Sequence, residues 1–364
     1  MQGDGRRADV NIYYEKKNVS RSMKEYQESF EYVDIATGGS DEISLTVDNS
    51  DMRFLNKWKP LKGSTVSATI IMRDWDKEGV KKSFKTGDMV MDDLSAEGAP
   101  SNTFTMKAVS APVKSEFKST KRKKTYKNAT VQTIGQKIAK RAGISLHYEA
   151  SKIKVKEIEQ TNEVDADFLL SLCQEYGLGI KIYNKKIVIY DEEKYEKKAP
   201  LVTIYRKDRK IEGKKISGVE SWEWNTTMQG TYAGCIVTYT DSSNNKKHKA
   251  RAGKKKGRQL KLNISAFSKK DAQLKAKAAL RNENKKLTTM NITMQADPRV
   301  IATGTVQLTG FGKANGKYFV DEVKHRIDGG YTMDLTLHKI IQEKKALKGG
   351  GGRSEGTVRG GGGR

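Results

Sequence analysis

The sequence predicts a mostly β, α+β protein in which two β domains of barrel or sandwich type flank a small α+β module. Three observations carry this. Short runs of alternating apolar residues, broken by Gly, Asn, Asp and Pro, dominate residues 7–112 and 201–341. Between them, residues 128–190 hold two helix-period segments, each followed by a short extended run. The longest helical segment interrupts only the second β region. The expected divisions are 1–112, 113–199 and 200–345, with a Gly-rich tail at 346–364.

In the first domain Val10, Ile12 and Tyr14 alternate, and Phe30, Tyr32 and Asp34 continue the period of two. Ile43, Leu45 and Val47 follow a break at Gly38-Gly39, and Val66, Ala68, Ile70 and Met72 follow Gly63. Further strands are expected at 88–92 and 103–109. The segment from Asp51 to Trp58 is expected to form a helical turn that plugs one end, with Phe54 and Trp58 pointing inward. The basic run between Lys114 and Lys127, with Lys121, Arg122, Lys123 and Lys124 consecutive, reads as a solvated inter-domain strand or linker, against the alternative of a nuclear-import or nucleic-acid patch.

The module begins at Thr130, placed to cap a helix whose Val131, Ile134 and Ile138 share one face. Gly143 stands where a left-handed terminator is wanted. Asp165 is expected to cap a second helix, with Asp167 in its first turn near the positive end of the dipole, and Gly177 ends it. Phe168, Leu169, Leu172, Cys173 and Tyr176 give that helix a wide apolar stripe. Ile144, Leu146 and Tyr148 alternate after the first helix. Ile180 and Ile182, a turn at Asn184-Lys185, and Ile187 to Tyr190 form a hairpin after the second. Glu196 to Ala199 and Pro200 read as a linker.

Past the linker, Ile204, Ile211, Ile216, Val219, Trp222 and Trp224 lie in short extended pieces, and Tyr232 to Thr240 forms a strand that turns at Asp241 to Asn245. The return arm, Lys246 to Lys261, carries nine Lys or Arg residues plus His248 and reads as a basic loop. Lys246, Lys247, Arg251, Lys254, Lys255, Lys256 and Arg258 are its candidate docking residues for an acidic neighbour, against the alternative of a solvated hairpin. Ser268 caps the long helix, which runs to about Lys286. Thr289 to Gln295, a turn at Asp297-Pro298, Thr305 to Thr309 and a last hairpin through Asp328-Gly329-Gly330 complete the domain. The tail buries too little apolar surface to offset its ordering entropy and is expected to be flexible unless a partner holds it.

The order of residues in the module is an apolar helix, Gly143-Ile144, then Gln160-Thr-Asn-Glu-Val-Asp165-Ala-Asp167-Phe168-Leu169-Leu170 and Glu175-Tyr176-Gly177. It resembles the late control protein D family, the central baseplate hubs of contractile phage tails, phage-tail-like bacteriocins and related injection machines. The later succession of a helix rich in Ala and Lys, a strand, Asp297-Pro298, Gly304 to Leu308, Gly316-Lys-Tyr-Phe-Val320 and a final hairpin is also similar to those hubs. The resemblance implies two tube-like β domains per copy and three copies in a ring, on which a six-fold tail tube meets a three-fold spike. It further implies a tail tube protein, a spike protein and other baseplate proteins as partners of a homotrimer. Such a chain is assembled in the bacterial cytoplasm and carried in the tail or tail-like particle.

A formal charge of +25 invites a nucleic-acid reading. The lysines are spread through almost every segment, which fits a coat that keeps a β-rich surface soluble and its edges unpaired. Few aromatics interleave with them, so nucleic acid is not expected as a specific ligand. A basic nucleic-acid-binding module is the alternative function, together with a tail-associated peptidoglycan-processing protein. The latter needs a pair of carboxylates, and Asp165 and Asp167 are better explained by a helix start.

No apolar run approaches the roughly 18 residues of a membrane span, and the N-terminus lacks the apolar core of a secretory signal. Cys173 and Cys235 read as buried free thiols. His147, His248, His325 and His338 are expected to be exposed on strands; only His325 and His338 are placed to face each other, and no acid or cysteine completes a metal set there. Phosphate-binding glycine loops, His-Glu-x-x-His helices and Gly-x-Ser-x-Gly elbows are absent. No catalytic activity, cofactor or metal is expected.

Overall fold

The computed structural model describes residues 6–75, 78–110, 116–207, 209–211, 214–216, 218–228, 231–240 and 246–340. The expected tail at 346–364 and the turn at 241–245 lie outside the described residues. The protein is mostly β with several helices, as the alternating patterns require. Its largest sheet has 14 strands and takes in both flanking β regions. Among the described residues its strand order does not close on itself.

In the first region the strands Arg7–Tyr14, Gln27–Ile35, Glu42–Asp48, Thr65–Arg73, Met89–Glu97 and Thr103–Val109 place alternate residues inward. The two regions join where Glu322 to Ile327 runs antiparallel to Phe30 to Ile35. Alternation at this joint turns Tyr32 and His325 into the core, where the rings stack at 5.7 Å. Outside, Lys324 Nζ and Arg326 Nε lie 2.9 and 3.2 Å from the Glu31 carboxylate. One hydrophobic cluster therefore runs from Phe30 and Leu45 to Val323, Met333 and Leu335.

The plug is shorter than its pattern suggests. Only Arg53–Leu55 is helical, a 3-10 turn held by Asn49, whose Oδ1 accepts from the Phe54 N–H at 3.0 Å. Phe54 is buried, but Trp58 is 40% exposed and packs edge-on against Tyr26 and Phe54 at the rim.

In the module, the helix Val131–Ala142 begins with Thr130, whose side chain accepts from Thr133 N, and ends at Gly143 with φ 71°. The second helix, Asp165–Glu175, departs from expectation: Val164 is its cap residue and Asp165 its first residue, because the Asp165 carboxylate is drawn to Arg141 and Gln160. The basic run takes the strand form of its expected solvated reading and not the linker form. Lys121–Thr130 pairs antiparallel with Lys154–Val164, its lysines outward and Tyr126 inward, stacked 5.5 Å from Phe168. Ser145–Glu149, Lys186–Asp191 and Leu178–Tyr183 form a second sheet, and the short helix Glu192–Lys197, capped by Asp191, takes in the first two residues of the expected linker.

The basic arm is also regular structure. Lys247–Gly253 and Gln259–Asn263 flank Gly234–Thr240 in a three-stranded sheet packed on the helix Lys269–Lys285, which Ser268 caps. Ala272 and Ala276 let the helix approach Cys235, Val237 and Ala250 closely. Both cysteines are buried free thiols.

Candidate assembly surface

A buried charge cluster fixes how the three parts of the chain meet. Lys181, on the strand Leu178–Tyr183, reaches out of the module into the first β region. Its Nζ lies 2.5 Å from Asp34 Oδ1 and 3.1 Å from Asp41 Oδ1. Asp41 also accepts from the Ile35 N–H at 3.1 Å and the Tyr32 hydroxyl at 3.3 Å. Asp34 Oδ2 accepts from the Ala302 N–H at 2.9 Å, which adds the second β region. Burial pushes Asp41 up to about 6 against the pull of Lys181, and the two carboxylates outweigh burial to keep Lys181 raised and charged. Around the cluster, Gly38 N donates to Ile180 O at 3.0 Å and the Tyr190 hydroxyl to Ala36 O at 2.9 Å.

A second polar cluster holds the module together. Asp165 accepts from Arg141 at 2.6 and 3.0 Å and from Gln160 at 2.9 Å. Burial works to raise its carboxyl, and these bonds outweigh it and hold the group below its ordinary value.

The long helix uses its cations internally. Lys275 lies 2.7 Å from Glu175, Lys277 2.5 Å from Glu193 and Arg281 2.7 Å from Glu196, while Lys285 pairs with Glu192. The sheet above it behaves differently. Its three strands and the 254–258 turn contain no Asp or Glu. His248, Ala250 and Ala252 turn toward the helix side, so Lys247, Lys249 and Arg251 stand on the outer face; Lys261 lies beside Ile236, whose other neighbour is Arg251. Lys254, Lys255 and Lys256 fill a tight turn between Gly253 and Gly257, both at positive φ, where only glycine is unstrained, and Arg258 follows it. Lys254 N donates to Ala233 O and Ala233 N to Arg258 O, both at 2.8 Å.

All seven candidate residues, Lys246, Lys247, Arg251, Lys254, Lys255, Lys256 and Arg258, are therefore exposed and belong to one small sheet and its turn. Sequence reasoning missed Lys249 and Lys261, which share the face. The period of two in Lys247-His-Lys-Ala-Arg251 is the signal that finds them.

The strand Val219–Thr226 is a second exposed feature. It pairs only with Thr288–Gln295 among the described strands, and no described strand lies along its other edge. Glu220, Trp222 and Glu223 are exposed on it, and Trp222 rests edge-on against Phe311 at 5.6 Å.

His147 is exposed on its strand as expected, but two of the histidines correct the expectation of exposed strand positions. His325 and His338 are both buried, and they do not face each other: His325 is opposite Met333 and His338 opposite Phe319. His325 is lowered to about 4 by burial, which favours the neutral ring, and its Nδ1 shares a hydrogen bond with the Tyr331 hydroxyl at 3.0 Å. Burial also works to lower His338, but Asp321 at 2.8 Å and Glu196 at 3.4 Å outweigh it and raise it to about 9. A histidine raised this way contributes stability in full below its unfolded pKa of about 6.5 and loses it as pH rises through about 9. His338→Gln should cost on the order of 2–3 kcal/mol at pH 6 and far less at pH 10. Urea denaturation at the two pH values checks this; a pH-independent cost contradicts it. Among the described residues no group of three or more His, Cys, Asp or Glu is placed to hold a metal ion, and no helix is long and apolar enough to cross a membrane.

The fold recurs in tail proteins. The tail protein from Neisseria meningitidis MC58 superposes with a TM-score of 0.67 at 12% identity, covering 91% of this chain and 96% of its own. The 43 kDa tail protein of prophage MuSo2 from Shewanella oneidensis gives 0.65 at 12% identity, with 91% and 98% covered. The E. coli c3393 protein is described as a component of the type VI secretion system with structural similarity to T4 bacteriophage tail proteins gp27 and gp5. It gives 0.53 at 11% identity, with 94% and 76% covered. No curated protein matches the chain by sequence. The family profile of the Alg8 N-terminal domain matches residues 81–329, taking in the module, the basic sheet and most of the second β region. On that match the chain belongs to the Alg8 N-terminal domain family.

Proposed function

We propose that this chain is the structural hub of a contractile tail or injection particle, joining a six-fold tail tube to a three-fold spike as a homotrimer. The observation that carries the reading is the single sheet through both β regions, in a fold shared over nine tenths of the chain with two tail proteins. The residue pattern resembling late control protein D supports the finer assignment. Edge-to-edge pairing already joins the two β regions within one copy, and the edge of Val219–Thr226 that no described strand covers offers the same kind of joint to a neighbouring copy. A ring made by such head-to-tail contacts closes at a fixed number of copies.

In this role affinity comes from large assembled surfaces and not from a pocket, and the chain has no catalytic task. The outer face of the basic sheet is the docking surface for an acidic tail, spike or baseplate neighbour. Assembly takes place in the bacterial cytoplasm, and the chain travels in the particle. The mass of the purified protein in solution, alone and with its tube and spike partners, tests the reading. A trimer in either condition supports it, and a monomer in both contradicts it.

A further inference from the structure

The first β region forms a deep cavity of about 430 Å³ that opens to solvent on one side. Its wall is apolar, built by Ile12, Phe30, Leu45, Ala68, Met106 and Ala108 from five strands. The space arises because Ala68 and Ala108 point inward where their strand neighbours carry larger side chains. Polar lining is confined to the mouth, where Ser22, Lys57 and Lys59 are exposed. Tyr14 also lines the cavity, but its hydroxyl is taken by Ser64 Oγ at 2.8 Å and the Leu61 N–H at 3.1 Å. Arg53 is taken as well: it pairs with Asp51 and lies 4.2 Å over the Tyr26 ring and 4.7 Å over Trp58. Lys57 and Lys59 are thus the cations left at an entrance they share with Pro60 and Trp58, the latter 40% exposed.

An apolar cavity of this size is disfavoured when empty, since its lining lacks dispersion partners and the cost grows with volume. Water is a poor filler, because each molecule needs two to four polar partners. An apolar chain satisfies the wall, and an anionic end satisfies the mouth. We propose that this cavity binds a single-chain anionic amphiphile, a long-chain fatty carboxylate, with its chain inside and its carboxylate at Lys57 and Lys59. This does not depend on the hub assignment.

Titrating the purified full-length chain with laurate, by calorimetry and native mass spectrometry, tests the proposal. One laurate per chain is expected, with dodecanol and dodecyltrimethylammonium about tenfold weaker or worse. Lys57→Glu with Lys59→Glu should weaken laurate by about tenfold without changing the melting temperature. Ala108→Phe should fill the space and abolish binding; if that variant does not fold, the two surface lysines decide alone. Absence of laurate binding overturns the proposal, as does binding indifferent to head-group charge and to both lysines. If wild type takes no laurate while Ala108→Phe blocks particle assembly, the occupant is a side chain of a partner protein, and the proposal is likewise overturned.

Discussion

Replacing Lys181 by methionine is expected to destabilise the fold by about 3–5 kcal/mol, the range for removing one partner from a buried ion pair. Methionine preserves the length and apolar stem of the side chain, so the loss is electrostatic. It strands two carboxylates, Asp34 and Asp41, in a site that excludes water almost completely. Their remaining donors, the Ile35 and Ala302 N–H groups and the Tyr32 hydroxyl, are neutral and do not balance two negative charges. Asp41 is raised to about 6 even with Lys181 present, and losing the ammonium raises it further. An acid whose folded pKa is raised disfavours the fold as pH climbs past its unfolded value, so relative to wild type the deficit should open above about pH 6, grow until pH passes the variant's own higher value, and shrink in acid. Adding Asp34→Asn and Asp41→Asn to Lys181→Met should recover most of the loss, since neutral amides keep the acceptor oxygens. Urea denaturation midpoints at unchanged slope measure both effects. A single variant within about 0.5 kcal/mol of wild type, the range of ordinary surface changes, refutes the cluster's structural role.

Reversing the charge of the basic turn is expected to act on assembly and not on folding. Lys254, Lys255, Lys256 and Arg258 are exposed, and only Arg258 has a ring contact, lying 4.9 Å over Tyr232. Changing all four to Glu should therefore cost the isolated chain about 1 kcal/mol or less. Against an acidic neighbour, however, it replaces four attractions by four repulsions on a face that carries no carboxylate of its own. Particle yield should fall by at least about tenfold, and raised salt should weaken the wild-type contact in the same direction. Electron microscopy of particles from cells carrying the variant reads the outcome. Unchanged yield removes the docking role and leaves the face as a solvated surface.

The parts of this fold that were legible in the sequence are those set by neighbours in the chain. Thr130, Gly143, Gly177 and Ser268 mark helix ends because caps and left-handed terminators act over three or four residues. The basic arm looked like a loop because the inward residues between its lysines are His248, Ala250 and Ala252, which carry little hydrophobic signal. The period of two was present all the same. Lys181 sits between Ile180 and Ile182 as an outward strand residue would, and nothing local reveals that its side chain enters another region to meet Asp34 and Asp41. His338 was misplaced for the same reason, since Glu196 is remote in sequence and burial is decided by the tertiary fold. Asp165 shows the converse. Its position at a helix start suggested a cap, but a bidentate guanidinium and Gln160 offer more than the backbone donors do. The joining of both β regions into one sheet was illegible, because pairing between residues 30–35 and 322–327 leaves no periodic trace in either strand.

The most direct test of the hub is the mass of the purified chain by light scattering, alone and mixed with the tail tube and spike proteins of its own particle. The reading predicts three times the 40.7 kDa chain mass, either at once or on adding the spike protein. A chain that stays at 40.7 kDa with both partners present contradicts it.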